Sequence, residues 1–154
     1  AFIKVNEYTW KYYKWCIFIY KNNLYVANVG DSRCYLLNEN GFNKITIDHS
    51  VVEELVKANI ITEEEAKTHP RRNHITRAIG TDEMVIVDIF KKQIDAGNKI
   101  LLTSDGLTGF VDDNTIKDTL LKDEDVNDLT KELINTANDV SGRDNISVIL
   151  IEEK

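Results

Sequence analysis

Apolar and polar residues alternate along the first third of the chain with the period of two that is typical of β-strands. Residues 15–20 and 24–29 form two such runs on either side of a short polar turn, which predicts a hairpin. A second pair of strands, 33–37 and 44–47, is predicted around a turn at 38–41. Together these strands predict an antiparallel meander.

Two capping boxes indicate helix starts in the middle of the chain. Ser50 is followed three residues later by Glu53, and Thr62 by Glu65. This spacing lets side chains satisfy the free N–H groups in the first turn of a helix. The predicted helices span residues 50–58 and 62–68.

The rest of the chain predicts two strands, a helical region and a closing strand. The two strands cover residues 84–90 and 99–103 and are joined by a turn at 95–97. From Asp113 the pattern is helical, with apolar residues at three- and four-residue spacing on one helix face. This stripe comprises Val126, Leu129, Leu133, Ile134, Ala137 and Val140. With a last strand at 146–151, the order of elements predicts an α+β sandwich.

Composition and charge narrow the classes of function. The 154 residues are 42% apolar and 29% charged, as in a folded domain and unlike a disordered chain. The net charge of −7 argues against nucleic-acid binding, which usually needs a basic surface. The apolar runs are too short to cross a membrane, and no secretory leader opens the sequence. Cys16 and Cys34 are predicted to be buried thiols outside any disulfide, and we expect a cytoplasmic monomer.

Three aspartates at predicted strand ends are the candidates for metal binding. Asp31, Asp105 and Asp144 each lie within two residues of a glycine. A carboxylate at the end of a rigid strand is held in place, while the glycine lets backbone or an ion approach closely. Because no Cys or paired His ligand is nearby, these carboxylates favour Mg²⁺ or Mn²⁺ over zinc. Any one of them alone is more often an ordinary turn residue, but the three together favour a metal site.

An ordered set of motifs, from about residue 16 to the end, resembles that of a known family. The motifs are LYVANVGDSR at 24–33, DHS at 48–50, HPRRN at 69–73, ITRAIGT at 75–81, LTSDGL at 102–107 and GRDN at 142–145. In this order they resemble the metal-dependent serine/threonine protein phosphatases of type 2C, in their bacterial branch. The resemblance implies a two-sheet antiparallel β-sandwich flanked by helices in α/β/β/α layers.

The resemblance also implies roles for the three aspartates. Asp105 and Asp144 match the residues that ligate two catalytic Mn²⁺ or Mg²⁺ ions, and Asp31 matches an acidic residue of a third, weaker metal site. No catalytic residue beyond these metal ligands is implied. A metal-activated water would hydrolyse phosphoserine or phosphothreonine, so phosphorylated proteins and a cognate serine/threonine kinase are the expected partners. Residues 48–81 correspond to a flap beside the active site.

The beginning of the chain departs from the family pattern. Residues 1–15 form an atypical segment, and residues 16–154 match the later part of a type 2C-like domain. The family's first segment carries a phosphate-binding arginine and an Asp-Gly pair that bridges the metals, and neither is recognisable upstream of Asp31. We therefore expect the chain as given to be weakly active or inactive. The alternative hypothesis is a catalytically inactive, phosphatase-like fragment that acts as a binding or regulatory module.

Overall fold

The computed structural model describes residues 2–3, 14–81 and 83–153. Its strands are β1 (Phe2–Ile3), β2 (Lys14–Tyr20), β3 (Asn23–Val29), β4 (Arg33–Asn38), β5 (Gly41–Lys44), β6 (Asp88–Gln93), β7 (Lys99–Thr103) and β8 (Val148–Glu152). Its helices are α1 (Val51–Lys57), α2 (Glu63–Thr68), α3 (Asp105–Thr108), α4 (Asp113–Leu120) and α5 (Val126–Val140). Most of the atypical segment predicted at residues 1–15 lies outside the described residues.

The strands form two antiparallel sheets, which confirms the predicted α+β class. One sheet has the strand order β1-β2-β3-β6 and the other β5-β4-β7-β8. The chain divides into two compact units that follow these sheets. The first unit contains residues up to 32 and residues 46–92, and the second contains residues 33–45 and 93–154.

The first unit is built on the predicted hairpin of β2 and β3. Tyr20 pairs with Asn23 across the turn, and the two turn residues, Lys21 and Asn22, have φ angles of 46° and 58°. This left-handed backbone matches the right-handed twist of a two-residue hairpin. The hairpin prediction is therefore confirmed.

Helices α1 and α2, also in the first unit, begin at their predicted caps. The Ser50 hydroxyl accepts a hydrogen bond from the Glu53 N–H at 3.3 Å. Thr62 and Glu65 form a complete capping box, in which the Glu65 carboxylate accepts from the Thr62 N–H at 2.7 Å. Both helix predictions are confirmed because their start signals are local to the sequence.

The second unit packs α3, α4 and α5 against its sheet. Strand β7 lies between β4 and β8 and pairs with both, and its last four residues are buried. The predicted stripe on α5 contributes Leu129, Leu133 and Ala137 to the interior, whereas Val140 is 60% exposed and lies outside it. The core cluster consists of Tyr35, Leu37, Leu101, Leu107, Val111, Ile116, Leu120, Leu133 and Ala137.

The predicted meander is wrong, because consecutive strands belong to different sheets. Strands β3 and β4 are neighbours in sequence but not in either sheet, and the same holds for β6 and β7. At the first crossover Gly30 adopts a φ of 109°, which only glycine reaches easily. The chain therefore leaves one sheet at this turn instead of folding back as a hairpin.

Several predicted boundaries also shift. The second hairpin turns at Asn38–Gly41, so its second strand covers Gly41–Lys44 and not residues 44–47. The strand predicted at 84–90 begins only at Asp88, since Met84 and Ile86 are 89% and 71% exposed. The last strand is Val148–Glu152, and the short helix α3 was not predicted.

The two cysteines differ in their surroundings. Cys34 is buried, as predicted, and burial raises the pKa of its thiol to about 12. Cys16 is exposed, which contradicts the prediction, because it lies on a strand face that the described residues leave open. Among the described residues, no helix is both long and apolar enough to span a membrane.

Candidate functional site

The pairing of β7 with β8 brings two distant chain segments together at one end of the sheet. Thr103 is the last residue of β7 and pairs with Val148. Beyond this pair, the Ser104 N–H donates to the Ser147 carbonyl at 3.1 Å. The Ser104 hydroxyl accepts from the Ser147 N–H at 3.0 Å and donates to the Asn145 carbonyl at 3.1 Å. Ser104 thus fastens the start of α3 to the loop that precedes β8.

Gly106 allows these two segments to approach closely. A Cβ atom at this position would lie 2.9 Å from the Asn145 carbonyl carbon and 3.3 Å from the Ile146 Cα. Both distances are shorter than an ordinary carbon–carbon contact of about 3.5–4.0 Å. Only glycine fits here without moving the backbone of the opposite loop.

This arrangement brings Asp105 and Asp144 close enough to influence each other electrostatically. Asp105 is exposed as a residue, but partial loss of water around its carboxyl group raises the pKa of that group above its ordinary value, and the negative charge of Asp144 raises it further. Backbone N–H groups of Asp105 and Gly106 and the charge of Arg33 act in the opposite direction but do not outweigh these causes. The Asp144 carboxylate accepts a hydrogen bond from the Asn145 N–H at 2.7 Å. The two carboxyl groups therefore form a pair that a cation would stabilise.

The positive charge of Arg33 acts on Asp105, and a chain of hydrogen bonds orients the Arg33 guanidinium. Its guanidinium donates to the Tyr35 hydroxyl at 3.3 Å, and that hydroxyl donates to the Asp113 carboxylate at 3.1 Å. Tyr35 is fully buried, and burial raises the pKa of its hydroxyl, which stays protonated and available as a donor. Tyr35 and Asp113 were not among the residues predicted from the sequence, since nothing local connects a strand residue to a helix start 78 positions away.

Asp31 lies in the first unit, in the turn that follows β3. Gly30 precedes it, and both the N–H and the carbonyl of Gly30 form hydrogen bonds with His49. The Gly30 N–H donates to His49 Nδ1 at 3.1 Å, and the His49 N–H donates to the Gly30 carbonyl at 2.9 Å. The turn that carries Asp31 is therefore tied to the start of the predicted flap.

The chemistry of the donors in the second unit suits a hard divalent ion. Carboxylate oxygens are the preferred ligands of Mg²⁺ and Mn²⁺, and a bound cation would remove the repulsion that raises the pKa of Asp105. Within the part of the chain that the structure describes, no group of three or more His, Cys, Asp or Glu side chains is clustered in a geometry that could hold a metal. The carboxyl groups of Asp105 and Asp144 are thus two candidate ligands for such an ion.

Comparison with known proteins gives a consistent result. A family model described as Protein phosphatase 2C matches residues 14–146. The Serine/threonine phosphatase stp of Listeria welshimeri is 40% identical over 132 residues, which are 86% of this chain and 52% of that protein.

Solved structures agree with this match. The Serine/threonine phosphatase Stp1 from Staphylococcus aureus has a TM-score of 0.87 and 42% identity over 91% of this chain and 55% of its own. The catalytic domain of the phosphatase PstP, solved in complex with two manganese ions, has a TM-score of 0.80 and 34% identity, covering 90% of this chain and 56% of that one. The chain spans about half the length of the relatives that it matches.

Proposed function

Because the chain belongs to the protein phosphatase 2C family, we propose that the protein hydrolyses phosphoserine and phosphothreonine on other proteins with the help of Mn²⁺ or Mg²⁺. One observation carries the proposal for this chain's own residues. Ser104 and Gly106 join two loops that are about 40 residues apart and thereby pair the carboxyl groups of Asp105 and Asp144. Such a pair has no structural benefit of its own, since like charges in proximity oppose folding.

Asp105 and Asp144 would hold the metal, and their fixed backbone limits how far they can move apart. Bound there, the ion would supply an acidified water molecule and would neutralise charge on the phosphoryl oxygens. Arg33 offsets part of the negative charge around Asp105 without neutralising it. Tyr35 and Asp113 keep this guanidinium oriented, so that the paired carboxylates remain available to an ion.

We also propose roles for Asp31 and for phosphorylated partner proteins, and a cellular location. Asp31 would contribute to a third, weaker metal site, as its position in the GDSR motif indicates. The substrates would be phosphorylated proteins, and a serine/threonine kinase would generate them. The solved and curated relatives are bacterial proteins, and we propose that this protein acts in the bacterial cytoplasm.

The proposal is tested by phosphate release from a phosphothreonine peptide in the presence of Mn²⁺. Asp105→Asn and Asp144→Asn each remove a ligand charge with little change of volume, and each should lower turnover by on the order of 100-fold or more, since losses of groups that only orient ligands already cost about 10–100-fold. Asp118→Asn is the matched control, because Asp118 is exposed on α4 and lies outside the site.

Calorimetric titration with Mn²⁺ should accompany the assay. We expect Mn²⁺ binding in the unmodified chain and in Asp118→Asn, and weaker binding in the two site variants. Measurable turnover that is equal in all four proteins would refute the assignment of Asp105 and Asp144. Mn²⁺ binding without any turnover would instead favour a binding or regulatory module.

A further inference from the structure

A buried histidine holds the turn that carries Asp31. His49 is 4% exposed, and both its side chain and its backbone bond to the same residue. Gly30 donates its N–H to His49 Nδ1 at 3.1 Å and accepts from the His49 N–H at 2.9 Å. The imidazole thus holds the Val29–Gly30 peptide through its N–H. The Gly30–Asp31 peptide is held through its carbonyl, which accepts from the His49 backbone N–H and from Asn28 Nδ2 at 3.4 Å.

The other side of the imidazole is fixed as well. His49 Nδ1 accepts a hydrogen bond, so the proton of the neutral ring is assigned to Nε2. His49 Nε2 then donates to Asp88 Oδ2 at 3.1 Å, and Arg77 Nη1 donates to Asp88 Oδ1 at 3.0 Å. The hydrogen bond from His49 is the largest cause that lowers the pKa of Asp88, and the bond from Arg77 adds to it. Asp88 is therefore a stable acceptor that keeps the ring in this tautomer.

The segments that carry these residues are also joined through their backbones. The Thr76 N–H donates to the His49 carbonyl at 2.8 Å, and the Val51 N–H donates to the His74 carbonyl at 2.8 Å. Residues 48–51 and 74–77 are thus joined by backbone hydrogen bonds, and Asp88 at the start of β6 is bonded to both segments through the side chains of His49 and Arg77. The position of the imidazole is determined by three chain segments, and the imidazole in turn accepts the hydrogen bond of the Gly30 N–H.

We infer that His49 is a positioning residue, which holds the Gly30 N–H through Nδ1 so that Asp31, the next residue, is presented in a fixed geometry for metal binding. This inference rests on the proposed function, in which Asp31 contributes to a metal site. His49 makes no contact with a reacting group in this role. Its effect on metal binding passes through Gly30, and its bond to Asp88 only orients the ring.

Two substitutions separate the two sides of the imidazole. In His49→Asn the amide oxygen lies close to the former position of Nδ1 and can accept from the Gly30 N–H, but the link to Asp88 is lost. In His49→Gln the amide nitrogen lies close to the former position of Nε2 and can donate to Asp88, but the link to Gly30 is lost. His74→Asn is the matched control, because the His74 side chain is exposed.

The readout is Mn²⁺ binding by the full 154-residue chain, measured by calorimetry, with Asp31→Asn defining the binding step that depends on Asp31. We expect His49→Gln to weaken that step by about 10-fold or more, the range seen when residues that orient metal ligands are lost. His49→Asn and His74→Asn should stay within about threefold of the unmodified chain. A uniform loss in both His49 variants would show a merely structural role and would overturn the inference.

A second measurement needs neither a metal nor a variant. In the metal-free protein, the imidazole ¹⁵N spectrum should show a protonated Nε2 and an unprotonated Nδ1 for His49, and the Gly30 amide should be protected from hydrogen exchange. The opposite tautomer, or a freely exchanging Gly30 amide, would overturn the inference even if the variants fail to fold.

If Asp31→Asn leaves Mn²⁺ binding unchanged, the role of Asp31 fails and the inference fails with it. A normal Asp31-dependent step in His49→Gln overturns the inference alone.

Discussion

Gly106→Ala is the most direct test of how the two aspartates are brought together. The new methyl group would lie 2.9 Å from the Asn145 carbonyl carbon, about 0.6–1.1 Å closer than an ordinary contact. The clash involves backbone atoms, and the Ser104 hydroxyl holds that backbone at 3.1 Å. The strain can therefore be relieved only by separating the two loops.

The size of the effect follows from this geometry. Forcing an extra methyl group into a packed interior usually costs about 1–3 kcal/mol. For a protein of this length, each kcal/mol lowers the melting temperature by about 2–4 °C, so we expect a decrease of roughly 2–12 °C. Moving the loops apart also moves Asp105 away from Asp144. Since metal–ligand distances are defined to about 0.2 Å, Mn²⁺ affinity should fall by about 10-fold or more.

Gly97→Ala is the control that separates stability from site geometry. A methyl group at Gly97 meets no atom within 4 Å, but the φ of 82° is unfavourable for alanine. The expected cost is about 1–2 kcal/mol, which is similar to that of Gly106→Ala. Both variants should melt earlier in differential scanning calorimetry, but only Gly106→Ala should lose Mn²⁺ affinity in titration. Wild-type stability and affinity in Gly106→Ala would refute the close approach of the two loops.

Two further predictions follow from the second unit. The pKa of Asp105 is raised, so the folded protein binds the proton of this carboxyl group more tightly than the unfolded chain does. The contribution of this proton to the free energy of unfolding is present below about pH 4 and is lost as pH rises through the folded-state pKa. Asp105→Asn should therefore raise the melting temperature of the metal-free protein at pH 7 but not at pH 3, and an equal or lower value at pH 7 would contradict the repulsion. Tyr35→Phe removes the hydroxyl that links Arg33 to Asp113 and should cost about 0.5–1.5 kcal/mol of unfolding free energy in urea titrations, whereas no change would show that this hydroxyl contributes nothing.

Local signals in the sequence were sufficient for a large part of the fold. The β2–β3 hairpin, the capping boxes at Ser50 and Thr62 and the apolar stripe of α5 are encoded within a few residues of one another. Such features depend on backbone preferences and on a single amphipathic face, which a linear pattern records directly. The three aspartates and their glycines were recognisable for the same reason, because each motif is continuous in the chain.

The tertiary structure alone decided which strands pair and which side chains meet. Nothing near Gly30 indicates that β3 and β4 join different sheets, since two apolar runs around a short glycine-containing turn are equally typical of a hairpin. The contacts of Ser104 with Asn145, and of His49 with Gly30, join segments 41 and 19 residues apart. Each partner has its own ordinary local explanation as a cap or turn residue. Their joint role exists only after long-range strand pairing has brought them together. Hydrogen bonds and charge interactions depend on the distance between atoms in space, which the separation of two residues in the sequence does not reveal.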